Sequence, residues 1–162
     1  MVQNPRVLVG CPTFEGYRYC LKDYAERVKN LAYENYDVLL VDNSNGQDYS
    51  RKIQQAGLKV SKAEHAQNVY ERIVASRNIL RQKVLEGNYD YFLSLEQDVI
   101  PPLDVIERLI RHQKDVVSGI YYKIYEIDVK NKEGKISRKK TILPLIFKPS
   151  DDNNKMHVCY PH

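Results

Sequence analysis

The sequence predicts an α/β protein with an open, mostly parallel sheet and helices on both faces, and three observations lead there. Val7-Leu8-Val9-Gly10-Cys11 is a continuous apolar run closed by Pro12, the pattern of a central strand buried on both sides. Asp37-Val38-Leu39-Leu40-Val41 repeats that pattern and runs into Asp42-Asn43-Ser44-Asn45-Gly46, a strong turn signal. Between them Tyr17, Cys20, Leu21, Tyr24, Val28 and Leu31 recur at helical spacing, which predicts an amphipathic helix of about four turns. Strand, helix and strand in this order imply a right-handed crossover and parallel strands.

The remaining elements follow in order. Residues 13–16 form the loop after the first strand. Asp48 is placed to cap a short helix through Gln55, with Gly57 past its end. Residues 58–61 read as a short third strand, and residues 69–85 as a longer helix stopped by Gly87-Asn88. The aromatic and aliphatic run 89–95 is a buried strand. Leu103, Ile106, Leu109 and Ile110 mark another helix, ended by His112-Gln113-Lys114, and residues 115–122 read as a fifth strand. Residues 124–129 and 136–147 flank Asn131-Lys132-Glu133-Gly134 as a C-terminal β-hairpin, and the polar segment from Asp151 reads as irregular.

The stretch Ser94-Leu95-Glu96-Gln97-Asp98-Val99-Ile100-Pro101-Pro102 is where chemistry concentrates. Pro-Pro stops the strand, and two carboxylates stand one residue apart. In extended backbone Glu96 and Asp98 share a face. Two such anions repel, and a shared proton or a bound cation relieves them. Carboxylate oxygens suit a hard ion, Mg2+ or Mn2+, which also takes substrate phosphates; the plain alternative is a solvated acidic turn. In open α/β sheets, ligands lie beyond the C-terminal strand ends where the strand order reverses. If the first three strands step outward and the fourth returns beside the first, Pro12-Thr13 and Glu96-Gln97-Asp98 form the two lips of one crevice, with Asp42 nearby.

Composition narrows the class. A chain of 162 residues suits a single domain with a real core. No apolar run is long enough to span a bilayer, and the polar residues 1–5 do not resemble a signal peptide, so a soluble cytoplasmic protein is expected. Cys11, Cys20 and Cys159 lack metal-type spacing, and the first two fall at core positions. The net charge of +4 gathers in Lys130, Lys132, Lys135, Arg138, Lys139 and Lys140. Abundant Lys and Glu, many tyrosines and no tryptophan hint at a thermophilic source. There is no Gly-x-x-x-x-Gly-Lys-Ser/Thr phosphate loop, and no Gly-x-Gly-x-x-Gly follows the first strand. Both absences argue against a P-loop ATPase and a dinucleotide dehydrogenase.

Taken together, Val-Leu-Val-Gly-Cys-Pro-Thr, Val-Leu-Leu-Val-Asp-Asn-Ser, Ala75-Ser76-Arg77-Asn78 and Phe-Leu-Ser-Leu-Glu-Gln-Asp resemble the nucleotide-sugar half of GT-A glycosyltransferases, glycosyltransferase family 2 and its relatives in particular. The resemblance covers roughly residues 6–122 and leaves 123–162 as a short acceptor-side hairpin region of one 1–162 domain. It implies metal-dependent transfer of a sugar, hexosyl-like, from a UDP- or GDP-sugar to an acceptor hydroxyl, with Mn2+ or Mg2+ as cofactor. Pro12 and Thr13 then match the loop that cradles the nucleobase, and Asp42 the acid that bonds uracil or ribose. Arg77 matches the arginine that reaches toward the diphosphate. Glu96, Gln97 and Asp98 match the Asp-x-Asp motif, whose second acid holds the metal; here the first acid is Glu, which shifts its contact.

Several of these residues also have plain structural readings. Asp42 before Asn-Ser-Asn-Gly makes an Asx turn. Arg77, four residues after Ile73 and three before Leu80, falls in the stripe expected to face the sheet, where a resident salt bridge to Asp42 or Glu96 is the alternative to a diphosphate. His65 and His112 read as surface or helix-end residues. His157 and His162 are further metal candidates, because some GT-A enzymes complete the metal site with a late histidine. No catalytic base is assigned: Asp151 and Asp152 are the only late paired acids, and inverting and retaining chemistry both remain open. A non-catalytic nucleotide-sugar-binding or scaffold protein is the alternative function. The basic segment 130–140 could rest on anionic lipid, which would suit a lipid-linked acceptor beside glycan or protein acceptors. Nucleic-acid binding is disfavoured, since no base-stacking set interleaves those charges.

Overall fold

Seven buried residues, Val7–Thr13, form the central strand β1. The computed structural model describes residues 4–120, 122–130, 134–144, 147–149 and 156–158. The chain divides into two units, Met1–Gln113 and Lys114–His162. In the first, β1 leads through a 3-10 helix (Glu15–Tyr19) to α1 (Leu21–Lys29), β2 (Tyr36–Asp42), α2 (Asp48–Gln55), β3 (Lys59–Lys62), α3 (Val69–Glu86), β4 (Tyr91–Ser94) and α4 (Val105–Ile110). The sheet order is β3-β2-β1-β4, with every pair parallel. The order therefore reverses between β1 and β4, as expected.

Alternation along the strands divides the core between the two faces. Val7, Val9 and Cys11 pack with Tyr24 and Val28 of α1, Ile53 of α2 and Ile106 of α4. Leu8, Leu39 and Val41 pack on the opposite side with Leu80 of α3. Fully burying each such aliphatic side chain contributes about 1.5–3 kcal/mol. Gly10 belongs to the α3 side, where a Cβ would meet Phe92 at 2.5 Å and Leu80 at 2.8 Å. The missing side chain lets both lie across β1.

Three local expectations change. The four-turn helix is split, because the chain leaves β1 in a tight 3-10 turn, and α-type bonding starts only with Tyr24 N–H to Cys20 O at 2.9 Å. Asp48 does not cap α2; Gln47 precedes the helix, and Asp48 pairs with Arg51 at 2.6 Å. Residues 115–120 form no strand. Val116 is 88% exposed and Ile120 60%, so this β-branched run is exposed to solvent.

The N-terminal end of the sheet is fastened by charge. Asp37 on β2 receives Lys59 Nζ at 2.6 Å, Arg6 Nη2 at 2.9 Å and the Tyr89 hydroxyl at 2.9 Å, and the Arg6 guanidinium lies 4.3 Å from the Tyr89 ring centre. Chiefly through Lys59, and against the cost of burial, these partners pull the Asp37 carboxyl from its ordinary 3.8 to about 2. A carboxylate held below its unfolded value stabilises fully above that value and loses its contribution as pH falls through the folded one. Asp37→Asn should therefore destabilise the protein by about 1–2 kcal/mol at neutral pH, allowing for partial exposure. Urea titrations should show this gap closing as acid protonates the wild-type carboxylate.

In the second unit, β5 (Tyr122–Lys130) and β6 (Ile136–Pro144) form the expected antiparallel hairpin. Of the extended stretch expected over 136–147, β6 takes Ile136–Pro144, and Phe147 belongs to β7 (Phe147–Pro149), which pairs with β8 (Met156–Val158). Part of the tail read as irregular is thus a strand, because it has a ladder partner. On the hairpin, Arg138 reaches Asp128 at 3.4 Å and Lys140 reaches Glu126 at 3.8 Å. These cross-strand pairs offset part of the positive charge on which an anionic surface would draw. No helix among the described residues is long and apolar enough to cross a membrane.

Candidate functional site

The C-terminal ends of β1, β2 and β4 meet at one edge of the first unit's sheet. Thr13 and Asp42 are register partners, and Asn43 N–H donates to Thr13 O at 2.9 Å. Thr13 also donates its hydroxyl to Oε1 of Gln97, in the acidic segment after β4. The three loops expected to converge do so.

The acidic segment is a turn, not the extended backbone expected. β4 ends at Ser94, and Val99 N–H closes on Glu96 O at 3.1 Å. Even so, Gln97 points inward, fully buried, while Asp98 is exposed and Glu96 half-exposed. Asp98 holds no hydrogen bond or ion pair among the described residues. The charge of these acids reaches their neighbours. Burial first, then Asp98 and Glu96, pushes the Tyr17 phenol up; burial, then Asp98, does the same to the Cys20 thiol. Burial followed by Glu96 raises Cys11. Both cysteines are core thiols, as expected.

Asp42 makes the Asx turn, accepting from Ser44 N–H at 2.9 Å. Its other oxygen accepts from Ser50 Oγ at 2.6 Å and Lys62 Nζ at 3.0 Å, and Lys62 also donates to Ser44 O at 2.6 Å. Burial alone would raise this carboxyl, but the bonds from Ser44, Ser50 and Lys62 outweigh it and hold it below its ordinary value. Asp42 is 0% exposed, so its carboxylate has no open surface. Thr13 and Pro12 are buried as well.

Arg77 lies on the exposed side of α3, not in the stripe facing the sheet. The buried residues of α3 are Ser76 and Leu80, and Ile73 is 38% exposed. The helix is turned this way because Ser76 meets β2's end, its hydroxyl accepting from Asn43 Nδ2 at 3.1 Å and donating to Arg72 O. Arg77 Nη2 reaches Glu96 Oε1 at 3.0 Å, and Nη1 is 3.4 Å from Ser94 Oγ. Both partners are about half exposed, 50% and 43%, so their pairing contributes at most about 1 kcal/mol.

Sequence reading missed Phe14, Ser50 and Lys62. Phe14 is 42% exposed beside the acidic turn's neighbour Tyr17, with ring centres 5.2 Å apart and edge-to-face. Lys62 is the register partner of Asp42 at the end of β3, one residue beyond where that strand was expected to stop. Ser50 carries no local signal, because only the packing of α2 brings it to Asp42. Among the described residues no three His, Cys, Asp or Glu gather as a metal site. Glu96 and Asp98 are hard oxygen donors, and the free Asp98 fits a cation that takes its other ligands from phosphate and water. His157 lies on β8 opposite Lys148; its side chain, like Asp151, Asp152 and His162, lies outside the described set.

An open parallel sheet with an acidic turn at its switch point is an α/β arrangement of the kind that binds ligands at that edge. A sequence model described as glycosyl transferase family 2 matches residues 11–162, and the chain belongs to that family. A mannosyltransferase from Pyrobaculum calidifontis, PcManGT, solved with GDP-Man and Mn2+, is similar at 17% identity and a TM-score of 0.51, over 73% of this chain and 35% of its own. TarS of S. aureus is similar at 16% identity and a TM-score of 0.49, over 65% of this chain and 19% of its own. The chain thus spans about a fifth to a third of the length of these structures. A search of curated proteins returned no match.

Proposed function

We propose that this chain carries the donor-binding part of a glycosyltransferase that moves a sugar from a UDP- or GDP-sugar to an acceptor hydroxyl with the help of Mn2+ or Mg2+. The observation that carries this reading is the meeting of Thr13, Asp42 and the Glu96-Gln97-Asp98 turn at the reversal point of the sheet. Family membership supports sugar transfer, and the similar mannosyltransferase is described with GDP-Man and Mn2+.

The exposed groups at this edge fall into roles. The ring of Phe14, beside the buried Pro12 and Thr13, offers a face to a nucleobase. Asp42 acts through what it holds, the turn at Ser44 and the Lys62 ammonium, more than through its covered oxygens. Asp98, with Glu96, would hold a cation that meets the diphosphate, and Arg77 lies beside them on the same edge. A bound cation would offset negative charge on the leaving nucleoside diphosphate, and Arg77 adds a fixed positive charge to the same end.

Titration calorimetry with UDP and with GDP, each with and without Mn2+, tests the reading. Metal-enhanced binding of one nucleotide is expected; absence of binding by either would refute it. Donor hydrolysis or transfer by the same protein separates an enzyme from a nucleotide-sugar-binding scaffold. Arg77→Met gives a second check. The ligand-free melting temperature should change little, because only a half-exposed pair is lost. The shift induced by nucleotide and Mn2+ should shrink; an intact shift would remove Arg77 from the diphosphate.

A further inference from the structure

We propose that Gln97 is a positioning residue, which ties the acidic turn to the loop after β1 and to α2 so that cation and nucleoside bind as one coupled event. The inference rests on the donor-site reading above. Gln97 stands between the two acids, yet it is 0% exposed, so it cannot itself meet a nucleotide. Its amide is committed to three other segments. Nε2 donates to Tyr17 O at 3.0 Å in the 3-10 helix. Oε1 accepts the hydroxyl of Thr13 at the end of β1. The Tyr49 hydroxyl of α2 lies 2.8 Å from Nε2 and 3.1 Å from Oε1, and Tyr49 is itself 1% exposed.

An amide suits this position. Nε2 donates to Tyr17 O, which also accepts from Cys20 N–H at 3.2 Å, while Oε1 accepts from the Thr13 hydroxyl. The side chain presents donor and acceptor from one plane. A carboxylate would face a carbonyl oxygen, and an aliphatic side chain would leave buried polar groups unsatisfied. The connections then continue outward. Tyr49 precedes Ser50, whose hydroxyl holds Asp42, and Tyr17 stacks edge-on against Phe14. Any shift of the acidic turn is therefore transmitted to the segments that flank the nucleoside, and a nucleoside that settles those segments also fixes Glu96 and Asp98. Coupling of this kind is reciprocal.

The measured quantity is the ratio of UDP or GDP affinity with Mn2+ to that without, compared across wild type, Gln97→Leu and Tyr49→Phe. Gln97→Leu should lower the ratio by about tenfold, and Tyr49→Phe by a smaller factor, since one of the partners is lost. Both should also melt earlier, which a purely structural residue would do as well. The ratio is what distinguishes the two roles: a lower melting temperature with the wild-type ratio preserved overturns the proposal. Should Gln97→Leu fail to fold, an unchanged ratio in Tyr49→Phe overturns it alone. Wild type that binds neither nucleotide refutes the donor-site reading and this inference with it, whereas metal-enhanced binding of equal size in all three proteins refutes only the inference.

Discussion

Asp98→Ala should remove the gain in UDP or GDP affinity that Mn2+ confers, a loss of about tenfold or more, without destabilising the ligand-free protein. Asp98 is exposed, makes no hydrogen bond or ion pair among the described residues, and adds its charge to that of Glu96 around Tyr17 and Cys11. Among the described residues no contact depends on its carboxylate, and deleting one of two neighbouring anions relieves repulsion. The melting temperature without ligand should therefore hold or rise slightly. Glu96 is already shared with Arg77, so it cannot replace Asp98 without giving up that pair. Calorimetry and melting curves on the same preparation measure both halves. Wild-type binding by the variant would show that the cation is not held here.

Asp42→Ala should have the opposite profile, a large loss of stability. The carboxylate is fully buried and accepts from Ser44 N–H, Ser50 Oγ and Lys62 Nζ. Alanine leaves all three donors without it, and Lys62 is only 24% exposed. Breaking a buried charge pair and its hydrogen bonds places the loss at about 2–4 kcal/mol. Because the Asp42 carboxyl is held below its ordinary value, its stabilisation is present at neutral pH and fades as acid protonates it. Urea denaturation at neutral pH and at about pH 3 should show the difference between variant and wild type narrowing in acid. Donor affinity should fall too, as the Ser44 turn and Lys62 lose their anchor. A variant as stable as wild type would mean that Ser50 and Lys62 find other partners at no cost.

These two acids show what can be read from a sequence. Asp42 was expected at the end of a strand and closes β2, whereas Asp98, expected in extended backbone, lies in a turn beyond the end of β4. Their opposite energetic characters do not follow from local sequence, since they depend on what packs above each strand end. Ser50 and Lys62 reach Asp42 only because α2 and β3 return to the same edge; among the described residues nothing returns to Asp98. Arg77 makes the same point on a helix. Its spacing from Ile73 and Leu80 put it in the stripe facing the sheet, but the contact between Ser76 and Asn43 turns α3 so that Arg77 lies in solvent beside Glu96. The run 115–120 is the converse case: β-branched residues propose a strand, but a strand exists only where a neighbour completes its ladder.

What the sequence determined by itself was the parallel strands, the helices between them and the place of the two acids just after β4. The sheet order held as a conditional expectation, and the acids, expected in extended backbone, lie in a turn. The strands and helices rest on patterns within single elements, namely apolar runs, helical spacing and proline or glycine stops, which fix periodicity and therefore which backbone each stretch adopts. The tertiary structure alone decided that Gln97 turns inward between two outward acids, that Asp42 is saturated, and that Arg77 faces water. Those outcomes depend on buried hydrogen-bond partners far apart in the chain, because a polar group removed from water has to find its donor or acceptor wherever the folded backbone brings one.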